Sequence, residues 1–323
     1  MFHASVCNMP RMFKKLVLTL GAAVAMVAHA AEIEWMTDLE EAGKKAAQEN
    51  KLLLVEFTGS DWCRYCILQK KNVLDKPAFA EWANKHCVAV EIDVPHDASR
   101  VGGEAKKEAN NKLCEDYAIS SFPSLMLMTP ERVLIGGYNG AQKTPQAAIE
   151  ALEKHFPLAK KLQTAMQQSG TERALALNAI YSRLPEDIRK GNFRLMELIA
   201  LDDPENMTGI QDTYRPIKQM RDLQAQLAPI SDAEERLALL DAAYLNAPEQ
   251  NKATIMRMKE IELHTAAHKL MRNPASVADV CKARDSLLLS AECSGKPGQK
   301  AKVEAYYANP EKLYKEILKK RKK

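Results

Sequence analysis

Lys51-Leu52-Leu53-Leu54-Val55-Glu56-Phe57 runs through Thr58-Gly59-Ser60-Asp61 into Trp62-Cys63-Arg64-Tyr65-Cys66, and this stretch decides the fold. The opening residues form a short apolar run closed by turn formers, which suits a buried central strand of the kind found in parallel sheets. A helix is expected to begin at the cysteine pair and to continue through Ile67 and Leu68 towards Val73. Upstream, Asp38–Asn50 reads as an amphipathic helix with Leu39, Ala42, Ala46 and Ala47 on one side. Downstream, Cys87-Val88-Ala89-Val90-Glu91-Ile92-Asp93-Val94 reads as the next strand, and a helix is expected from about Ala105 to Tyr117. Phe122-Pro123 leads into a third strand, Ser124–Met128; Thr129–Arg132 turns, and Val133-Leu134-Ile135 returns as a hairpin partner. Thr144-Pro145 opens a closing helix, with proline where its missing N–H costs nothing. Helices and strands in this order give an α/β sandwich built on a mixed sheet.

From Pro157 onward no alternating strand pattern appears, and helical periodicity continues to the end. A chain of 323 residues has room for two domains. The expected division is 31–157 for the α/β domain and 158–323 for an all-helical one, built as helical hairpins in a bundle or short solenoid. Pro185-Glu186, Pro204-Glu205, Pro248-Glu249 and Pro310-Glu311 each read as a helix start, with a carboxylate in the first turn facing the positive end of the dipole. Their spacing has no fixed period, so a regular repeat array is not expected. Gln250–Met271 reads as the longest helix.

The first 30 residues have the three parts of a secretory signal: Arg11, Lys14 and Lys15, the apolar run Leu16–Ala28, and Ala28-His29-Ala30. Export, to the periplasm or cell envelope in a bacterium, is the expectation. Removing those three cations takes the net charge from +4 to +1, which gives no reason to expect a nucleic-acid partner. Six cysteines lie beyond the leader: Cys63, Cys66, Cys87, Cys114, Cys281 and Cys293. Cys87 and Cys114 read as buried free thiols, with a bridge between them left open by export. Cys281 and Cys293 stand as a structural disulfide or as two free thiols, because export permits the bond but a bend in the helix between them must bring them together.

Cys63-Arg64-Tyr65-Cys66 has the spacing a dithiol reaction needs: one thiolate to attack and a second thiol one helical turn away to resolve the mixed disulfide. At a helix N-terminus the first thiol, taken to be exposed, is lowered from about 8.5 to roughly 3.5–7.5. This makes Cys63 the nucleophile and Cys66 the resolving residue. A half zinc site or a structural disulfide is the competing reading, but zinc wants a second ligand pair and no such pair occurs nearby. Arg64 puts a fixed positive charge beside Cys63, which favours the thiolate and a more oxidising couple, and Tyr65 adds a hydroxyl or shields the pair. Glu56 is a charge in an otherwise apolar strand, where an isolated carboxylate is costly. His264 and His268 have metal-like spacing but read as core or surface histidines, so no metal site is expected.

Residues 33–156 resemble a thioredoxin-family domain. The resemblance rests on the strand Leu52–Phe57, the motif Trp62–Cys66, the strand ending Ile92-Asp93, and Tyr117-Ala118-Ile119-Ser120-Ser121-Phe122-Pro123-Ser124. It implies thiol–disulfide oxidoreductase activity on protein thiols and disulfides, carried by a redox-active Cys63–Cys66 disulfide with no other cofactor. It also implies a cis bond before Pro123, with Phe122 touching the substrate chain, and Trp62 in an apolar rim that receives partners. Glu56 would accept the proton of Cys66, although it stands seven residues before Cys63, one more than is common in the family. A membrane-linked electron donor or acceptor would serve the couple, and the helical domain would dock a protein partner. The alternative is a non-enzymatic scaffold in which a thioredoxin-like domain anchors a helical interaction module.

Overall fold

The computed structural model describes residues 31–321. The leader assigned to residues 1–30 and the final Lys322 and Lys323 lie outside the described residues. The chain divides into two compact units. The first comprises residues up to Gln163 together with Pro185–Asn192, and the second comprises Thr164–Leu184 and Phe193 onward.

The first unit is built on a five-stranded sheet: β1 (Trp35–Met36), β2 (Leu52–Thr58), β3 (Cys87–Asp93), β4 (Ser124–Met128) and β5 (Leu134–Asn139). The strand order is β1-β3-β2-β4-β5, with β1, β3 and β2 parallel and β4 and β5 antiparallel to their neighbours. Helix α1 (Leu39–Glu49) starts at Asp38, whose carboxylate accepts the N–H groups of Glu40 and Glu41, and ends at Asn50 in the left-handed conformation. Leu39, Ala42 and Ala46 of α1 pack with Leu53, Val55, Phe57, Val88, Val90 and Ile92. Because side chains alternate along a strand, Leu54 and Glu56 of β2 and Ala89 and Glu91 of β3 point to the other face.

Helix α2 (Arg64–Gln69) begins directly after Cys63 and runs into a π-helical turn, Lys70–Leu74. Helix α3 (Pro77–His86) follows, with proline at its start and Phe79, Ala80, Trp82 and Ala83 buried. This helix and the two-residue β1 are not among the sequence expectations. A 3-10 turn, Ala98–Val101, precedes α4 (Glu104–Asp116), and α5 (Pro145–Glu153) is capped by Thr144. The hairpin partner β5 runs further than Val133–Ile135, to Asn139. It is flanked by Asn192, whose side-chain amide accepts from the Leu134 N–H at 3.1 Å and donates to its C=O at 2.7 Å. The short helix α8 (Glu186–Lys190) brings this residue to the first unit.

The chain leaves the first unit within α6 (Phe156–Met166). The second unit contains α7 (Gly170–Tyr181), α9 (Phe193–Asp202), α10 (Gln211–Leu227), α11 (Ala233–Leu245), α12 (Glu249–Arg272), α13 (Val277–Ser294), α14 (Gln299–Tyr306) and α15 (Pro310–Arg321). Helix α12 packs between α11 and α13, and α13 packs on α14 and α15. Two apolar clusters form there, one around Leu223, Leu227, Leu240 and Ile255, the other around Ala267, Val280, Ala283 and Tyr307.

Three of the four Pro-Glu pairs open helices, at α8, α12 and α15. Pro204-Glu205 does not: it sits in a turn, where the Asp203 carboxylate accepts the N–H groups of Met207 and Thr208. Those bonds satisfy the donors a helix start would otherwise leave open, and the helix begins only at Gln211. Cys281 and Cys293 are both free and lie on one continuous helix, α13. Twelve residues of helix separate them by about 18 Å, which rules out the disulfide between them.

Candidate active site

The site is assembled at the end of β2. Beyond Thr58 the chain is held down by Asp93 of β3, whose carboxylate accepts from the Ser60 N–H at 2.9 Å and from the Ser60 hydroxyl at 2.6 Å. Asp61 accepts the N–H groups of His96 and Asp97, each at 2.9 Å. It therefore ties two loops together and is not the cap of α2. The cap is Cys63, whose Sγ accepts the Cys66 N–H at 3.2 Å.

Cys63 and Cys66 are joined as a disulfide, with Cα atoms 5.2 Å apart. Cys63 was expected to be exposed, yet it retains only 6% exposure against 2% for Cys66. The bond to the more buried Cys66 and the hydrogen bond to its N–H hold the Cys63 sulfur inward. Arg64 and Tyr65 both face solvent.

Trp62 is 42% exposed and fixed by its indole N–H, which donates to the Val94 carbonyl at 2.8 Å. Its ring stacks on His96 with centroids 5.5 Å apart and meets Phe122 edge-on at 5.7 Å. Gly59 makes room for it, since a Cβ there would overlap the indole. The Phe122–Pro123 peptide bond is cis. The Pro123 carbonyl accepts from the Gly140 N–H at 2.8 Å, and the Ser124 hydroxyl donates to the Ser121 carbonyl at 2.7 Å, so both sides of that bond are anchored.

Glu56 is buried, at 3% exposure, on the sheet face opposite α1. Burial, with the neighbouring Glu91 carboxylate adding to it, pushes its carboxyl up to about 8. Glu56 lies in register with Glu91 on β3 and Leu125 on β4, and Leu125 with Tyr138 on β5, so the four form one row across the sheet. Gln69, one turn after Cys66, reaches this row: its amide donates to the Tyr138 hydroxyl at 2.6 Å, and its carbonyl accepts from the Gln142 N–H at 2.7 Å. Gln69 is fully buried. Sequence reasoning did not single out Gln69, Tyr138, Glu91 or His96. A polar residue at i+3 from Cys66, on the buried side of a helix, was the one legible signal among them.

Cys87 and Cys114 are buried free thiols, each pushed up to about 12 by burial and so held as inert thiols. His264 and His268 stack on each other, with ring centroids 5.4 Å apart, on α12 of the second unit.

Strand order, the cysteine pair at the start of α2 and the cis bond before Pro123 define a thioredoxin-like domain. The family model for that domain matches residues 39–156. Among characterised proteins, the disulfide bond reductase DsbH of Chlamydia pneumoniae is 31% identical over 102 residues, 32% of this chain and 60% of that protein. The thioredoxin-related protein DsbJ of the same organism is 31% identical over 99 residues, 31% of this chain and 28% of that protein. This chain thus spans less than two thirds of either relative. A solved structure titled DsbH oxidoreductase aligns with 26% identity and a TM-score of 0.34, over 40% of this chain and 87% of that one. Among the described residues no helix is long and apolar enough to cross a membrane.

Proposed function

We propose that this protein is an exported thiol–disulfide oxidoreductase that reduces disulfides of protein substrates through Cys63 and Cys66. The observation that carries the reading is the Cys63 sulfur at the start of α2, already accepting a backbone N–H, where developing negative charge on sulfur is stabilised. In the reduced protein the Cys63 thiolate attacks one sulfur of a substrate disulfide. That S–S bond breaks, a substrate thiolate leaves, and a mixed disulfide forms. Glu56 takes the Cys66 proton, and the Cys66 thiolate attacks the Cys63 sulfur. The Cys63–Cys66 bond forms, the second substrate thiolate is released, and two electrons have passed to the substrate.

Trp62, Phe122 and Pro123 hold the substrate chain beside the sulfurs, while Arg64 and Tyr65 tune the potential. No cofactor or metal beyond the disulfide is required. Regeneration needs an electron donor, membrane-linked in an envelope setting, and the helical unit serves to dock a protein partner. The reductive direction is supported by the name of the DsbH relative; the charge of Arg64 argues for a less reducing couple than the motif would have without it. Export is supported by the leader-like first 30 residues.

Insulin reduction and refolding of oxidised ribonuclease, with Cys63→Ser and Cys66→Ser variants, test the reading. The parent should reduce insulin and both variants should lose that activity, while Cys66→Ala should accumulate mixed disulfides on Cys63. A parent that exchanges no disulfides, or variants equal to it, would sink the proposal. Equilibration with glutathione then fixes the direction.

A further inference from the structure

The two strands that meet at the centre of the sheet, β2 and β3, each carry one glutamate, and the register places the two side by side: Glu56 against Glu91. Like charges directly opposite on one face destabilise a sheet, so this pairing carries a cost. The two carboxyls differ in access. Glu56 is enclosed, whereas Glu91 is half-buried. Pairing of β1 with β3 ends at Val90, one residue before Glu91, so the outer flank of Glu91 is left uncovered by strand.

The charged groups facing this pair come from each neighbouring element. Lys70 in the π-helical turn attracts both carboxylates, and Arg100 in the 3-10 turn attracts Glu91. Asp93 on β3 repels both, Asp75 repels Glu56, and Tyr138 on β5 is held neutral by burial. Lys70 is itself shared with Asp75, 3.9 Å away, and is largely exposed, so it does not neutralise two buried-side carboxylates. With cations insufficient for two charges, the low-cost state of the pair is one proton between them.

We infer that Glu91 is a positioning residue for disulfide exchange: it shares one proton with Glu56 and thereby sets the pH at which Glu56 accepts the proton of Cys66. The inference deepens the oxidoreductase reading and rests on it for its chemical meaning. Burial raises the Glu91 carboxyl as well, and Asp93 adds to it.

The test is a carboxyl-carbon NMR titration of the full chain in its disulfide form, with Glu56→Gln assigning the signal, on parent, Glu91→Gln and Glu91→Asp. Glu91→Ser serves as a second neutral variant should Glu91→Gln fail to fold. Removing a unit charge one strand away should lower the Glu56 midpoint by about 1–2 pH units, and Glu91→Asp, which keeps the charge, should restore it. The pH profile of insulin reduction should move the same way in the neutral variants and not in Glu91→Asp. An unchanged Glu56 midpoint in the neutral variants, or a profile that stays put while the midpoint moves, overturns the inference. Neither outcome touches the oxidoreductase reading, which instead falls if the parent itself exchanges no disulfide.

Discussion

At the residue scale, the sequence discloses the sulfur pair above the strand end more fully than the buried carboxyl of Glu56. Cys63, Cys66, Trp62 and Pro123 are legible because a motif needs those residue types at fixed offsets, whatever the rest of the chain does. Glu56 stands out as a charge inside Leu-Leu-Leu-Val-Glu-Phe, but whether it points inward depends on the strand's register with α1, which the sequence does not print. Its row partners Glu91 and Tyr138 are invisible for the same reason: strand pairing brings them into one row from positions 35 and 82 residues away in the chain, whereas Gln69 reaches that row from α2. The carboxyl has a testable thermodynamic signature. Its pKa rises from 4.5 to about 8 on folding, so between those values the folded protein holds a proton that the unfolded chain has lost. The native state binds more protons there, and stability therefore falls as pH rises from 4.5 to about 8, by up to several kcal/mol. Glu56→Gln should abolish this slope and leave the variant more stable than the parent at pH 9. Urea unfolding of the oxidised proteins at pH 5 and pH 9 checks it, and equal slopes in parent and variant would refute it.

At the element scale, two junctions carry the site. Where β2 passes into the Cys63 loop, Gly59 clears the plane in which the Trp62 indole lies against His96 and Phe122. Gly59→Ala should displace that ring, weakening binding of protein substrates several-fold while leaving the reaction of Cys63 with glutathione disulfide unchanged. Equal loss with both substrates would mean that the glycine acts on the cysteines and not on the rim. Where β5 ends the sheet, Asn192 copies a peptide group and pairs both polar atoms of Leu134. Asn192→Ala leaves a buried N–H and C=O without partners and should cost about 1–3 kcal/mol, measured by denaturant unfolding. Most elements of the first unit were legible because apolar runs, turn formers and N-terminal prolines agree with one another. Helix α3 carries such a signature in Pro77, Phe79 and Trp82, yet sits between stronger signals and went unassigned. Pro204-Glu205 misled in the opposite sense: a local carboxylate, Asp203, satisfied the backbone donors and made a turn of what reads as a helix start.

At the scale of the whole molecule, the texture change near Pro157 is where the sequence shifts from strands to helices, and the compact units divide close by, at Gln163. Composition cannot reveal that Pro185–Asn192, polar and helical like its surroundings, belongs to the first unit. Its membership rests on side-chain contacts made across more than fifty residues: Asn192 with Leu134, Ile188 in the core cluster with Leu134 and Tyr117, and Gly191 packed so closely on the Tyr117 carbonyl that no side chain fits. This has a consequence for any attempt to isolate the redox domain. A fragment ending at residue 157 retains every strand, both cysteines and the aromatic rim, but loses Asn192, Ile188 and Gly191 together. It exposes the Leu134 backbone and the apolar surface Ile188 covers. All three tryptophans, Trp35, Trp62 and Trp82, belong to the first unit, so their fluorescence follows its unfolding. The fragment 31–157 should melt roughly 5–10 °C below the fragment 31–192 by this probe, the shift expected for the loss of about 2 kcal/mol from a domain of this size. Introducing Asn192→Ala into the longer fragment should reproduce only part of the difference, because the packing of Ile188 and Gly191 remains. If the two fragments melt together, Pro185–Asn192 contributes nothing to the redox domain and the boundary near residue 157 is sufficient.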